Sequence, residues 1–541
     1  MSSVNYRRCL AATTALFGAV LVLWAVLTPA FRAPDEPQHF NSVLRLLEGG
    51  GWPEPQTAMI SDGVRVAVDE AGWAPVDQPF IRQSAAVLPG EAERVGPPLF
   101  VELDPGDPAD RVVVSTVELP AGSGPPAVDQ MTQHPPGYYA LGALVLKLLG
   151  GEDWRWDQQL LVLRLLSASL VVWLVPLTAA TTRAIGGSTR AALIAAVSVT
   201  GVSQLAHINS AVTNDALANV SAATVLWLAS LALTRRHTWK LVLGAGIALG
   251  IALLSKGFLL ASIPVVAISF VLGHRANPRA RPRWWAAFVS LAVAFAVGGW
   301  WWLRNLVLYG AIQPDGMPPR PYLDTGQEPS VLAFLRGARR GLVSSAWGNY
   351  GWMELSVPAW LGQAMTVALL LAVVGALVAG GGTRMPLAVL LLLPLLTLLI
   401  ILYGSWQAYV DGGYLAGLQG RYLFVAVPVF AACVGIATDA AGSRLPAGQR
   451  RALLLVVPVT CVGLGAYGLA FAFQGFYHPA GESVRVALGR WEAWSTLGTT
   501  ATAIAVIAPC IAAVLTVTLL ARAFAAPVPA RAPGPRHSSR R

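Results

Sequence analysis

The sequence predicts an all-α polytopic membrane protein of about 12 transmembrane helices, counting apolar runs that reach the ~20 residues needed to cross a bilayer. Composition points the same way. The 541 residues are 55% hydrophobic and 12% charged, where a soluble domain carries about 25% charge. The third observation is charge placement, because the short loops on alternate sides of the apolar runs are the basic ones, as expected of cytoplasmic connections.

The runs fall at 10–30, 159–182, 189–207, 213–234, 240–254, 257–273, 284–303, 359–380, 385–403, 421–438, 451–473 and 497–520. Arg7 and Arg8 precede the first. That run is long for the apolar region of a signal peptide, so it reads as a retained span. The other inner connections hold Arg183 and Arg190; Arg235, Arg236 and Lys240; Arg275 to Arg283; Arg384; Arg444, Arg450 and Arg451; and an Arg-rich tail. Both termini are therefore expected in the cytoplasm of a multi-pass plasma-membrane protein. The run 241–273 breaks at Ser255-Lys256-Gly257 with basic loops at both ends, so it should be two short helices turning at Lys256.

Two large connections face the other side. Residues 31–157 are rich in proline and glycine, and between Glu48 and Asp129 they hold 14 acidic residues against four arginines. Pro37–Glu48 reads as an amphipathic helix with Phe40, Val43, Leu44 and Leu47 on one face. Arg111–Leu119 alternates like a strand. The second connection is 304–358. The membrane domain thus spans 1–520, and the basic tail 521–541 reads as disordered. The net charge of +10 is scattered through short loops, which argues against a nucleic-acid partner. Cys9, Cys433, Cys461 and Cys510 lie in or beside apolar runs with no metal-type spacing. No P-loop, GxSxG, HExxH or CxxC motif occurs.

Four constellations can carry chemistry. Pro34-Asp35-Glu36-Pro37 follows the first span. Asp35 fits a helix cap, with proline early in the helix, and it equally fits a general base at the membrane surface. Gln133-His134-Pro135-Pro136-Gly137-Tyr138-Tyr139 re-enters the membrane, with His134 either solvated or in a site. Lys256, Arg304 and Arg421 sit at outer span ends and Arg164 just inside one, against the positive-inside rule. Each could snorkel or pair with a carboxylate; together they suggest a receptor for a phosphate. Trp300–Asn305, Trp347–Trp352 and Gln419–Tyr422 read as an interfacial belt or as sugar-stacking surface.

In order along the chain, PDEPQHF, QHPPGYY, GWWWLRNLVLYG, SSAWGNYGWMELSVP and LQGRYLFVAVPVF resemble the GT-C superfamily of membrane glycosyltransferases. They more closely resemble a bacterial family of polytopic membrane proteins designated a domain of unknown function. The resemblance implies a polyprenyl-phosphate-linked sugar donor, an envelope glycan or glycolipid acceptor, and an active site on the extracytoplasmic face. Carried over, Asp35 is the base, with Glu36 as its neighbour or a metal ligand and His134 beside it. Lys256, Arg304, Arg421 and Arg164 hold the donor phosphate. Tyr138, Asn305, Trp347 and Tyr422 contact sugar or acceptor. A divalent cation, Mg or Mn, stays open, as do the metal ligands and the oligomeric state. Two other readings fit the same architecture: a transporter or flippase of a lipid-linked or anionic substrate, and a polymerase or ligase of lipid-linked glycans.

Overall fold

The computed structural model describes residues 3–73, 76, 103–124, 126–273, 284–319, 322 and 328–525. Among them the architecture is helical, with one two-stranded antiparallel hairpin, Asn349–Tyr350 against Leu355–Ser356. Nine helices are long and apolar enough to cross a membrane: Ser3–Leu27, Trp156–Ala184, Asp215–Thr234, Trp284–Tyr309, Ala359–Ala379, Gly381–Gly412, Gly420–Ser443, Ala447–Tyr477 and Thr499–Ala525. A tenth forms if Thr189–Gly201 and Ser203–Asn209, bent by 65°, make one span. The two remaining predicted spans are the shorter helices Trp239–Leu253 and Gly257–Leu272, joined at Lys256. The last helix runs to Ala525, and the remainder of the predicted tail lies outside the described residues.

The first helix packs along the last. Its Phe17, Leu21 and Trp24 are fully buried, and Trp24 meets the His207 and Tyr350 rings at 5.2 and 5.0 Å. In Ala359–Ala379, by contrast, Val367, Leu370, Leu371, Val374 and Val378 are exposed at helical spacing. Such a stripe, costly in water, suits contact with lipid tails.

Between the first two spans, Glu36–Leu47 forms the predicted amphipathic helix, with Phe40, Val43, Leu44 and Leu47 buried. It packs on the helix Gly137–Leu148. Asp129 anchors this layer. Its carboxylate accepts hydrogen bonds from Asn41 Nδ2 (2.7 Å), Ser42 Oγ (2.8 Å) and the Met131 amide (3.0 Å). Burial still raises its pKa, although all three donors oppose the shift.

The strand expected at Arg111–Leu119 is not formed. Val113 makes a single bridge to Arg155, and Val114–Thr116 is a 3₁₀ turn. Among the described residues the segment has no neighbouring strand with which to form a ladder. It is held instead by side chains: Arg111 donates to Asp157 at 2.8 Å, and the Val112 amide donates to Glu70.

Candidate active site

Four charged side chains from four separate segments meet at one end of the helix bundle. Asp35 occupies the N-cap position of the helix Glu36–Leu47 in the left-handed region, with φ 63°, but its carboxylate makes no capping hydrogen bond and faces the cluster instead. Asp215 is the first residue of its span, where a carboxylate is favoured by the helix dipole. Lys256 stands at the break between the two short helices, and Arg421 in the first turn of Gly420–Ser443. Asp35 Oδ1 accepts a hydrogen bond from Gln130 Nε2 at 2.8 Å, and its Oδ2 lies 3.5 Å from Arg421 Nη2. Arg421 Nη1 is 3.9 Å from Asp215 Oδ2, and Lys256 Nζ is 2.5 Å from Asp215 Oδ1. The Tyr422 ring lies beneath both cations, 5.1 Å from Lys256 Nζ and 5.5 Å from Arg421 Cζ. All four charged residues are at least nine-tenths buried. Two positive and two negative charges leave the cluster neutral, the condition under which buried charge is tolerated.

Two glycines seat these groups. A Cβ on Gly137 would lie 2.5 Å from the Leu254 carbonyl oxygen, so the HPPG turn rests directly on the Lys256 turn. A Cβ on Gly420 would collide with the Leu342 carbonyl, so the start of the Arg421 helix rests on Val331–Trp347. His134 is thereby placed in the field of Lys256, His39, Asp215 and Asp35. Its Nδ1 is buried without a hydrogen-bond partner among the described residues. Burial, and then Lys256 and His39, hold its pKa well below the usual histidine value. His39 lies one helical turn beyond Asp35, and its Nδ1 is 2.9 Å from the Tyr139 hydroxyl. Burial pulls its pKa down to about 3, with Asp35 only partly opposing the shift. Both imidazoles are therefore neutral at physiological pH.

The other predicted site residues have different partners. All five Arg164 N–H groups are engaged: Nε and Nη2 grip the Glu36 carboxylate at 2.8 and 2.6 Å, and the rest reach the carbonyls of Ala25, Thr28 and Pro29. Arg164 thus caps the C-terminal end of the first helix and keeps no donor for a phosphate. Glu36, fully buried, also accepts from the Val212 amide, so its carboxylate is engaged by Arg164 and backbone. Arg304 lies over the Trp301 and Tyr309 rings at 4.9 and 5.6 Å and donates to Asn305. Asn305 in turn donates to the Ile312 carbonyl, which tethers the following loop. The Tyr138 hydroxyl is buried between Ser167 and the Thr213 amide. The Trp347 indole donates to Thr366. Asp35, Lys256, Arg421 and Tyr422 are brought together with His134 nearby, and Asp215, Gln130 and His39 complete the cluster; of these three, Gln130 is the one that nothing in the sequence announces.

The donor set does not fit a divalent cation. Among the described residues no three His, Cys, Asp or Glu side chains gather to hold one. The two carboxylates instead share Arg421, and Asp215 is also bound to Lys256.

A cavity of about 1110 Å³ meets the cluster at Gln130, which lines it and donates to Asp35, and at Gln419, two residues before Arg421; Val331–Trp347 and the 413–419 loop are among its walls, and the four charged side chains themselves do not line it. The hairpin 349–356 borders it and is tied back to the end of the first span. Arg32 donates to Glu354 at 3.2 Å, and the Trp352 indole donates to the Phe31 carbonyl at 2.7 Å.

Residues 17–430 match the DUF2142 family, described as a predicted membrane protein. The chain belongs to that family. Among solved structures it is similar to apo ArnT from Cupriavidus metallidurans, at 14% identity and TM-score 0.45, covering 94% of this chain and 76% of that one. ArnT bound to undecaprenyl phosphate gives 13% identity and TM-score 0.43 with the same coverage. The apo oligosaccharyltransferase of Archaeoglobus fulgidus gives 12% identity and TM-score 0.42, covering 95% of this chain and 56% of that one. No curated protein matches the chain by sequence.

Proposed function

We propose that this DUF2142 protein is a GT-C-type glycosyltransferase. It moves a sugar from a polyprenyl-phosphate donor to a cell-envelope acceptor on the extracytoplasmic face. The observation that carries the reading is the Asp35 carboxylate held beside the Arg421–Asp215–Lys256 chain, next to a large cavity.

Asp35 takes the proton from an acceptor hydroxyl. The acceptor oxygen attacks the anomeric carbon, the bond from that carbon to the phosphate oxygen breaks, and the polyprenyl phosphate leaves with the electron pair. Arg421 and Lys256 stabilise the growing charge from fixed positions, at no reorganisation cost during the reaction. The donor phosphate competes with Asp35 for Arg421, so binding it releases the carboxylate for proton transfer. Gln130 keeps Oδ1 oriented throughout. The neutral His39 and His134 add no competing cation. Lys256, Arg421 and Asp215 carry the charge balance, and no step passes through a metal.

The test uses membranes from a deletion strain supplied with labelled polyprenyl-phosphate sugars and carrying either the wild type or Asp35→Asn. Transfer by the wild type and its loss in a normally inserted Asp35→Asn protein are expected. Equal transfer by both removes Asp35 as the base. Translocation of the lipid-linked sugar without new glycosidic bonds would support a flippase instead.

A further inference from the structure

The cavity beside the cluster has a graded lining. Within it Gln130, Asn349 and Gln419 are each at least nine-tenths buried, and Gln133 is half-buried. Toward the rim stand Gln363 and Gln407, both exposed. The charges that line it, Arg339 and Arg340 against Asp315 and Asp411, are all exposed and balance in number. The buried part of the lining is therefore amide-rich and uncharged, and Gln130 within it donates to Asp35.

A primary amide both donates and accepts hydrogen bonds, and so does an alcohol; a phosphate or carboxylate only accepts. The volume of about 1110 Å³ exceeds the ~300–1,000 Å³ typical of pockets for drug-sized ligands, which leaves room for more than one sugar unit.

We propose that this cavity is the acceptor site, and that the acceptor is a saccharide chain of at least two sugar units, uncharged at its reacting end. The proposal rests on the glycosyltransferase reading. The amides around Gln130 grip the terminal sugar so that one hydroxyl faces Asp35, and the charged rim lies against the rest of the chain.

The test measures binding of neutral tri- and tetrasaccharides to full-length Asp35→Asn protein in nanodiscs. The controls are their monosaccharides, uronic-acid-containing oligosaccharides and a serine/threonine-rich peptide. A neutral oligosaccharide should bind best, and its affinity should fall about tenfold in Gln133→Ala/Gln419→Ala, the loss expected from one or two hydrogen bonds. Preference for the acidic glycans or the peptide, no binding of any oligosaccharide, or unchanged binding by the double variant overturns the proposal. Sugar transfer is scored separately in wild type and Asp35→Asn. Transfer that depends on Asp35 without oligosaccharide binding sinks the acceptor proposal alone. Oligosaccharide binding with transfer indifferent to Asp35 sinks the glycosyltransferase reading instead.

Discussion

Replacing Arg421 by glutamine tests the charge logic of the site most directly. The guanidinium lies 3.5 Å from Asp35 and 3.9 Å from Asp215. At an effective dielectric of about 20, a unit charge at such distances is attracted by about 4–5 kcal/mol. A departing phosphate at the same distance feels a pull of that order. Part of it already acts on the bound donor, so the transition state loses less than the whole. Losing one preorganised donor of this kind typically costs about 2.7–4 kcal/mol, or a 10²–10³-fold fall in kcat. Arg421→Gln should therefore lower kcat by about that factor and raise the donor KM. Arg421→Lys keeps the charge but not the two-pronged geometry, and should recover part of the loss. The assay is transfer of labelled sugar in proteoliposomes, with melting in detergent as a control for folding. A folded Arg421→Gln protein within threefold of wild type would refute the reasoning, because the cation would then contribute nothing to the leaving group.

Arg164→Ala leaves Glu36 charged and buried, and should cost about 3–5 kcal/mol of stability, read as a lower melting temperature and yield. His39 and His134 give the protein an acid limit. Their folded pKa values lie below that of the unfolded chain, so unfolding takes up protons. For His39 the window runs from about 6.5 down to about 3; stability should be full above it and fall by up to about 1.4 kcal/mol per histidine per pH unit within it. Melting curves across pH would check this, and His39→Phe should flatten the slope. Gly137→Ala drives a methyl group against the Leu254 carbonyl and should depress transfer more than stability, by moving the Lys256 turn. Lys256→Met should lower transfer and destabilise together, since Asp215 is left with only the longer Arg421 contact.

Much of this cluster is legible in the sequence because its charges lie where the membrane disfavours them. Lys256 interrupts an apolar run, and Arg421 opens one at an end expected to lie away from the basic connections. The same rule flags Arg164 and Arg304 but cannot name their partners. Arg164 finds Glu36, 128 residues away in sequence, and no local pattern announces that. Asp35 and Glu36 are adjacent yet serve different networks, because the left-handed backbone at Asp35 separates them. Asp215 hides as an ordinary acidic residue at a helix start. Gln130 and His39 are neutral polar residues whose role exists only through contacts distant in sequence, 95 and 100 residues away. The alternation at Arg111–Leu119 misleads because a strand also needs an adjacent edge, and none is provided among the described residues.

The hairpin at 349–356 ties two distant parts of the chain together. The Arg32–Glu354 ion pair and the Trp352–Phe31 hydrogen bond fasten it to residues only three and four positions before Asp35. Burial raises the Glu354 pKa even beside Arg32, which opposes the shift. If the hairpin swings aside to widen the cavity mouth, it must either break both ties or drag Phe31 and Arg32 along with it. In the second case the doorway and the carboxylate share one hinge, and an open entrance displaces the base.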